Sequence, residues 1–322
     1  MTDASAAPPD LAQGLGDDIV LPFRTVRSGV MGRLVRLGSS VDTILSRHDV
    51  PVPVAQTLGE AVALTALLGT ALKFDGKLIV QTKTDGIVDF LVVNFEAPGR
   101  VRGYVRYDKN RLPAHGREAS IDQPTLLGSG HLAITIDQGE DMERYQGIVA
   151  LSGEDLGGAA QAYFRQSEQL PSFLRLAVAR HYQAGANGGE WHWRAGGLML
   201  QNLARSGGKP QAPVEDDALL GEDDDDWERT RILAATVEDH ELLDPTLPPE
   251  RLLYRLFHEE GVRALPPAPV QAFCRCSREH VGAFLRSFGA VELADMREPD
   301  GAISVTCEFC TANYRFAPNE FD

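Results

Sequence analysis

Leu78-Ile79-Val80-Gln81-Thr82-Lys83-Thr84-Asp85-Gly86-Ile87-Val88-Asp89-Phe90-Leu91-Val92-Val93-Asn94 places two β-rich runs on either side of a Thr-Asp-Gly turn. Directly after it, Ala97-Pro98-Gly99 turns the chain again into Val101-Arg102-Gly103-Tyr104-Val105-Arg106-Tyr107. A period of two, broken by turns at such short intervals, predicts an antiparallel meander. Further strands are expected at 132–136 and 145–151, a helix over 155–169, and closing strands at 173–179 and 197–203. On the N-terminal side, 26–37 reads as a strand and 40–48 as a capped helix. Pro53 opens the most apolar run, 54–72. Its length suits a membrane span, but Gln56, Glu60 and several threonines interrupt it and no basic flank anchors it, so a buried core helix and no membrane association are expected. Together these elements predict an α+β fold, with an antiparallel-sheet N-terminal domain and packed helices over 19–208.

The remaining chain differs in composition. The first ten residues have neither a cationic start nor an apolar core, so 1–18 reads as a disordered tail rather than a secretory signal, and a cytoplasmic location is expected. Gly, Pro and Lys over 207–213 lead into the like-charge run Asp223-Asp224-Asp225-Asp226, read as a solvated tether. A helix follows over 227–243. Pro248-Pro249 then start a second over 250–260, with Leu252, Leu253, Leu256 and Phe257 on one face and Gly261 at the stop. Both are amphipathic and too short to be stable alone, so they must dock, and 209–265 is read as an acidic and helical linker. The formal net charge of −15 argues against nucleic acid as a partner, since nucleic-acid binders concentrate basic charge.

Residues 266–322 form the last expected domain, and its chemistry lies in the only four cysteines of the 322 residues. Cys274-Arg275-Cys276 can present both sulfurs to one side of an extended segment. Cys307-Glu308-Phe309-Cys310 lies between two strand-like runs, 302–305 and 313–316, which places it on a hairpin turn. A thioredoxin-like dithiol would need a helix there instead. Four thiolates close a tetrahedral site, and zinc is the usual occupant. A plain zinc ribbon, holding a small domain together, is one reading of this spacing. Redox function is the other: a Cys274–Cys276 disulfide on an extended strand would sit near or beyond the favoured Cα separation of ~4.4–6.8 Å, and so would be easily reduced. Zinc binding supplies roughly 10–16 kcal/mol of apparent folding free energy to small domains, so oxidation that expels the metal is expected to unfold 274–310.

Other motifs carry less. Gly128-Ser129-Gly130-His131-Leu132-Ala133 matches a dinucleotide fingerprint as a string but leads into a strand, whereas the fingerprint opens a helix. His280 is a spare candidate ligand beside a site that four thiolates already close. Arg275 and Arg278 are solvated charges or donors to the thiolates. No serine elbow or paired-histidine metalloprotease motif is present, and no catalytic residue is assigned.

The cysteine pattern resembles that of the heat shock protein 33 (33 kDa chaperonin) family. The likeness extends to Leu72-Lys73-Phe74, Leu91-Val92-Val93-Asn94, Glu143-Arg144-Tyr145-Gln146-Gly147, Ser167-Glu168-Gln169-Leu170-Pro171 and Tyr254-Arg255-Leu256-Phe257-His258-Glu259-Glu260, and runs from about residue 20 to the C-terminus. The resemblance implies a redox-regulated, ATP-independent holdase rather than an enzyme. It implies that Cys274, Cys276, Cys307 and Cys310 bind zinc when reduced, and that oxidation forms Cys274–Cys276 and Cys307–Cys310. Zinc would then leave, the linker would unfold, a homodimer would form, and unfolding client proteins would be captured. The acidic tail, the Gly/Trp-rich stretch 185–197 and the run Asp223–Asp226 depart from the family pattern. Two rival classes remain at this stage: a constitutive zinc-ribbon interaction module, and a dithiol oxidoreductase working through Cys307 and Cys310.

Overall fold

The computed structural model describes residues 16–71, 76–113, 121–139, 142, 144–185, 188–202 and 222–321. Residues 1–15 of the expected tail 1–18, residues 209–221 of the expected linker 209–265, Leu72-Lys73-Phe74 and Glu143 lie outside the described residues. Asp17, by contrast, pairs with Arg194 at 2.6 Å and Asp18 accepts from the Gly38 amide at 3.0 Å, so the end of the expected tail is tied to the body.

Strands β1 (Ile19–Thr25) and β2 (Met31–Leu37) form a hairpin, followed by α1 (Ser39–Leu45) and α2 (Val52–Gly69). The meander follows as β3 (Lys77–Thr84), β4 (Val88–Glu96) and β5 (Arg100–Tyr107), then α3 (Gln123–Leu127), β6 (Ser129–Asp137) and β7 (Tyr145–Ser152). Helix α4 (Leu156–Tyr163) widens into a π-helical turn over Phe164–Glu168 and leads to the long hairpin β8 (Ser172–Gly185) and β9 (Gly188–Gln201). Helices α5 (Glu222–Ala235), α6 (Asp239–Leu243) and α7 (Pro249–Phe257) come next, then the short strands β10 (Val262–Ala264), β11 (Ala268–Pro269) and β12 (Gln271–Ala272). The C-terminal part holds α8 (Arg278–Leu285), α9 (Ala290–Asp295) and the hairpin β13 (Ile303–Thr306) and β14 (Asn313–Phe316).

Two sheets result. One has the order β10-β1-β2-β9-β8 with β11 also on β1, and the other has the order β12-β5-β4-β3-β6-β7. Every pairing is antiparallel except β12 on β5. The fold is α+β, as the meander predicts. Helix α2 is apolar on nearly its whole circumference because it packs against both sheets. Val54, Leu58, Val62 and Leu67 share one core with Val20 and Val35 of the first sheet and Val80, Leu91, Val93 and Val101 of the second. It is the one described helix long and apolar enough to cross a membrane, and 83% of that window is buried inside the protein.

The first sheet is apolar on its other face as well. Leu21, Phe23, Leu34, Leu198 and Leu200 point away from α2 and are covered by Trp227, Ala234, Leu242, Leu252, Leu253, Leu256 and Phe257. The two amphipathic helical segments therefore dock there, as their stripes require. Helix α6 lies so close to β9 that a Cβ on Gly196 would stand 2.5 Å from the Leu242 carbonyl oxygen. Arg36 donates to the Glu241 carbonyl (2.8 Å) and Arg194 to that of Leu243 (2.7 Å), satisfying the end of α6.

Several expectations need correction. The run Asp223–Asp226 is the first turn of α5 rather than a tether. The Asp226 carboxylate, in the first turns of that helix, pairs at 2.6 Å with Arg229. The expected helix 227–243 is two helices, because Glu238 and Glu241 build a capping box that starts α6 afresh. The strand expected over 26–37 begins at Met31, and β1 before it was not anticipated. The hairpin β8–β9 extends well beyond the expected 173–179 and 197–203. Cross-strand pairs Tyr182–Trp191 and His181–His192, with Arg180 over Trp191 at 5.6 Å, sustain it in solvent. Gly128-Ser129-Gly130 opens β6, so the dinucleotide string is a decoy as read.

Glu60 on α2 gives a testable electrostatic consequence. Burial pushes its carboxyl from the ordinary 4.5 up to about 7, while Gln123 donates to it at 2.8 Å. The unfolded chain releases this proton near pH 4.5 and the folded chain near pH 7, so the stabilisation is complete below pH 4.5 and is lost as pH rises to 7. Glu60→Gln is expected to be more stable than the parent by roughly 3 kcal/mol at pH 8, with little difference at pH 4.5. Chemical denaturation at the two pH values measures this, and parallel stability curves for parent and variant would count against a raised Glu60 carboxyl.

Candidate metal centre

Cys274 and Cys276 lie on the extended chain between β12 and α8, and Ser277 caps α8 by accepting from the His280 amide at 3.1 Å. Cys307 and Cys310 lie on the turn joining β13 to β14. Cys307 donates its amide to the Ala312 carbonyl (2.9 Å), and Thr311 donates to that of Cys307 (2.8 Å). Thr311 has φ +59, which completes the tight turn. The hairpin expected from the flanking strands is present, and it brings the second pair of cysteines to the first.

All four sulfurs lie within 4.8 Å of one another. Cys274 and Cys307 are 3.7 Å apart and Cys276 and Cys310 are 3.1 Å apart. Tetrahedral Zn–S bonds of ~2.3 Å place sulfurs about 3.8 Å apart, so the donor set and its spacing fit a four-thiolate metal. Among the described residues, no other group of His, Cys, Asp or Glu side chains is drawn together in this way. His280 is exposed and does not join the cluster.

The four thiols are not equivalent. Burial pushes Cys274 up, but hydrogen bonds from Cys276 and the Arg102 guanidinium outweigh it and bring Cys274 down to about 7. Burial and the neighbouring thiols raise Cys310, and burial raises Cys307. The Tyr314 hydroxyl donates to the Cys276 sulfur at 3.2 Å, and that bond pushes the phenol up to about 12.

Of the two arginines considered as donors, Arg278 is engaged with the Arg315 carbonyl and Glu320, both at 2.6 Å, and Arg275 faces Glu96 at 3.9 Å. The arginine at the sulfurs is Arg102 of β5, whose Nη1 lies 3.9 Å from Cys274. Arg102 and Tyr314 escape a motif search. The signal for Arg102 is the alternation of β5, which sends Arg100, Arg102, Tyr104 and Arg106 to the face opposite Val101, Gly103 and Val105.

A two-sheet α+β body with a cysteine module at its C-terminal end, compatible with zinc, defines the class of protein. A family model described as Hsp33 protein matches residues 18–317, and the chain belongs to that family. It is accordingly a protein of the chaperone class. The chain is similar to a 33 kDa chaperonin of Caulobacter vibrioides, 45% identical over 306 residues that cover 95% of this chain and 96% of the relative. It is also similar to a 33 kDa chaperonin of Nitrosococcus oceani, 39% identical over 287 residues, covering 89% and 87%. The crystal structure of the 33 kDa chaperonin (heat shock protein 33 homolog) from Thermotoga maritima shares the fold, with a TM-score of 0.71 at 23% identity over 94% of this chain and 96% of that one.

Proposed function

We propose that this protein is a redox-regulated, ATP-independent holdase of the cytosol, held inactive while its four thiols are reduced. The observation that carries the reading is the convergence of all four cysteines at one point, in a module that follows in sequence a helical segment docked on an apolar sheet face. Zinc bound by Cys274, Cys276, Cys307 and Cys310 would keep the thiols deprotonated and tie the two cysteine motifs together. Oxidation then closes Cys274–Cys276 and Cys307–Cys310. In each, two thiolates give up two electrons and form one S–S bond, and hydrogen peroxide accepts the electrons together with two protons from solvent and leaves as two waters. Pairing within each motif closes loops of only a few residues, so it survives unfolding of the module at small entropic cost. Pairs across the motifs are neighbours only while the module is folded.

Once all four sulfurs are in disulfides, no thiolate remains to hold a metal, and a module with a core as small as Leu285, Leu293, Ile303 and Phe316 has little else to sustain it. On this reading residues 19–208 form the chaperone core, 209–265 the releasable linker and 266–322 the switch. Release of the linker uncovers Leu21, Phe23, Leu34, Leu198 and Leu200 for unfolding clients, and the oxidised form assembles as a homodimer.

The test follows zinc with a chromogenic chelator during peroxide treatment at mild heat, while light scattering tracks aggregation of an unfolding protein. Zinc loss is expected to coincide with suppression of aggregation. Zinc retained under oxidation, or lost without any suppression, would return the module to a constitutive zinc ribbon.

A further inference from the structure

The cysteine module is held to the core by a surface that neither the ligand set nor the helical segment accounts for. Strand β12 runs parallel to β5, with the Gln271 amide donating to the Gly99 carbonyl (2.8 Å) and the Phe273 amide to that of Val101 (2.9 Å). Phe273 then lies under Arg100, whose guanidinium carbon is 4.6 Å from the ring centroid. Two residues along β5, Arg102 makes three contacts at once. Its Nε and Nη2 donate to the Asn94 side-chain oxygen at 3.2 and 3.0 Å, with the amide oriented to present that oxygen. Its Nη1 reaches the Cys274 sulfur at 3.9 Å, and its guanidinium carbon lies 4.2 Å from the centroid of the Phe309 ring. Tyr104 completes the seat, 6.3 Å from Phe309.

Phe309 stands between Cys307 and Cys310, and Cys274 belongs to the other motif. One guanidinium of the core sheet therefore touches both halves of the thiol cluster, and Asn94, its register partner on β4, fixes its plane. We propose that Arg102 is a positioning residue through which the second sheet grips the assembled thiol module. Cluster assembly and module docking are then one state, because the Phe309 contact needs the second motif in place and the Cys274 contact needs the first. Closing either disulfide redirects the sulfurs and loosens the grip. This inference deepens the switch reading and rests on it for its functional consequence, while the docked geometry of the reduced module stands apart from it. Lysine keeps the charge but lacks the planar fork that Asn94 and Phe309 together select.

The experiment uses the full chain, reduced and zinc-loaded, as parent, Arg102→Gln, Arg102→Lys and Arg106→Gln. Arg106 lies on the same face of β5 but pairs with Asp89 and lies over Phe90, and it meets the module only through the charge of Glu308. Hydrogen exchange at the Gln271 and Phe273 amides is expected to speed about tenfold in Arg102→Gln, the loss of one part-buried cation–π contact with its hydrogen bonds. Zinc content and the protection of β3 and β4 should stay at parent values. Zinc release under peroxide should quicken in Arg102→Gln, less so in Arg102→Lys, and not at all in Arg106→Gln. Parent-like exchange and release in Arg102→Gln, or equal effects from Arg106→Gln, would overturn the assignment. If instead the oxidised parent never suppresses aggregation, the holdase reading falls while the exchange result still decides the role of Arg102.

Discussion

Cys307→Ser is expected to release zinc from the reduced protein and to leave 273–316 open to protease. A serine hydroxyl is not ionised at neutral pH and cannot replace a thiolate in the cluster. If the full site supplies roughly 10–16 kcal/mol, one of four ligands carries a share of several kcal/mol, or a loss of two to three decades in metal affinity. The module cannot absorb such a loss, because its core cluster among the described residues is Leu285, Leu293, Ile303 and Phe316, with Val281, Phe288, Val305, Tyr314 and Phe321 partly buried around them. Zinc content by competition with a chelator, together with limited proteolysis, measures both effects. A variant with full zinc and parent-like protease resistance would remove Cys307 from the ligand set.

Phe257→Ala should free the helical segment without touching the thiols. Phe257 is fully buried and stacks on Phe23 at 5.4 Å, on the face of the first sheet away from α2. Truncating a buried phenylalanine costs about 3–5 kcal/mol, which is comparable to what a docked segment of three short helices has to spare. Part of what remains is polar. Glu260, which is fully buried, is held by Arg229 at 2.6 Å, an ion pair that joins α5 to the end of α7. The expected result is cleavage between 222 and 260 by a protease that leaves the parent intact, with zinc still bound. On the proposed function, the reduced variant should also gain some suppression of aggregation. Full protease protection would show that the other contacts of α5–α7 suffice.

The meander was legible because β3–β5 carry their turns in sequence: Thr84-Asp85-Gly86 and Ala97-Pro98-Gly99 fix where each strand ends. Helix α2 was legible because burial between two sheets leaves an apolar run that only Gln56, Glu60 and threonines interrupt. The cysteine site was legible because four thiols in two close pairs have few other uses. Strand β1 was missed because 19–23 is apolar on both faces, between the core of α2 and the helices α5–α7, and therefore shows no alternation before Arg24. The acidic first turn of α5 was missed because a like-charge run reads as a solvated coil, and what redeems it here is Arg229, whose partner Glu260 is thirty-one residues distant. Strands β10–β12 have two or three residues each and carry no periodicity; their pairing is dictated by the sheet edges they meet. Arg102 was hidden for a similar reason, since its partners Cys274 and Phe309 come from segments that meet only in the folded chain.

Those short strands also bear on how the protein is made. Strand β1 is completed by 262–264 and 268–269, and β5 by 271–272. On the ribosome, a chain that has emerged only to residue 201 possesses all of β1–β9 but leaves β1 and β5 with bare backbone edges, and the apolar face later covered by α5–α7 lies open. Unpaired strand edges beside exposed apolar surface invite pairing with neighbouring chains. During synthesis this protein is therefore itself an aggregation-prone client, and it remains so until about seventy more residues have been translated.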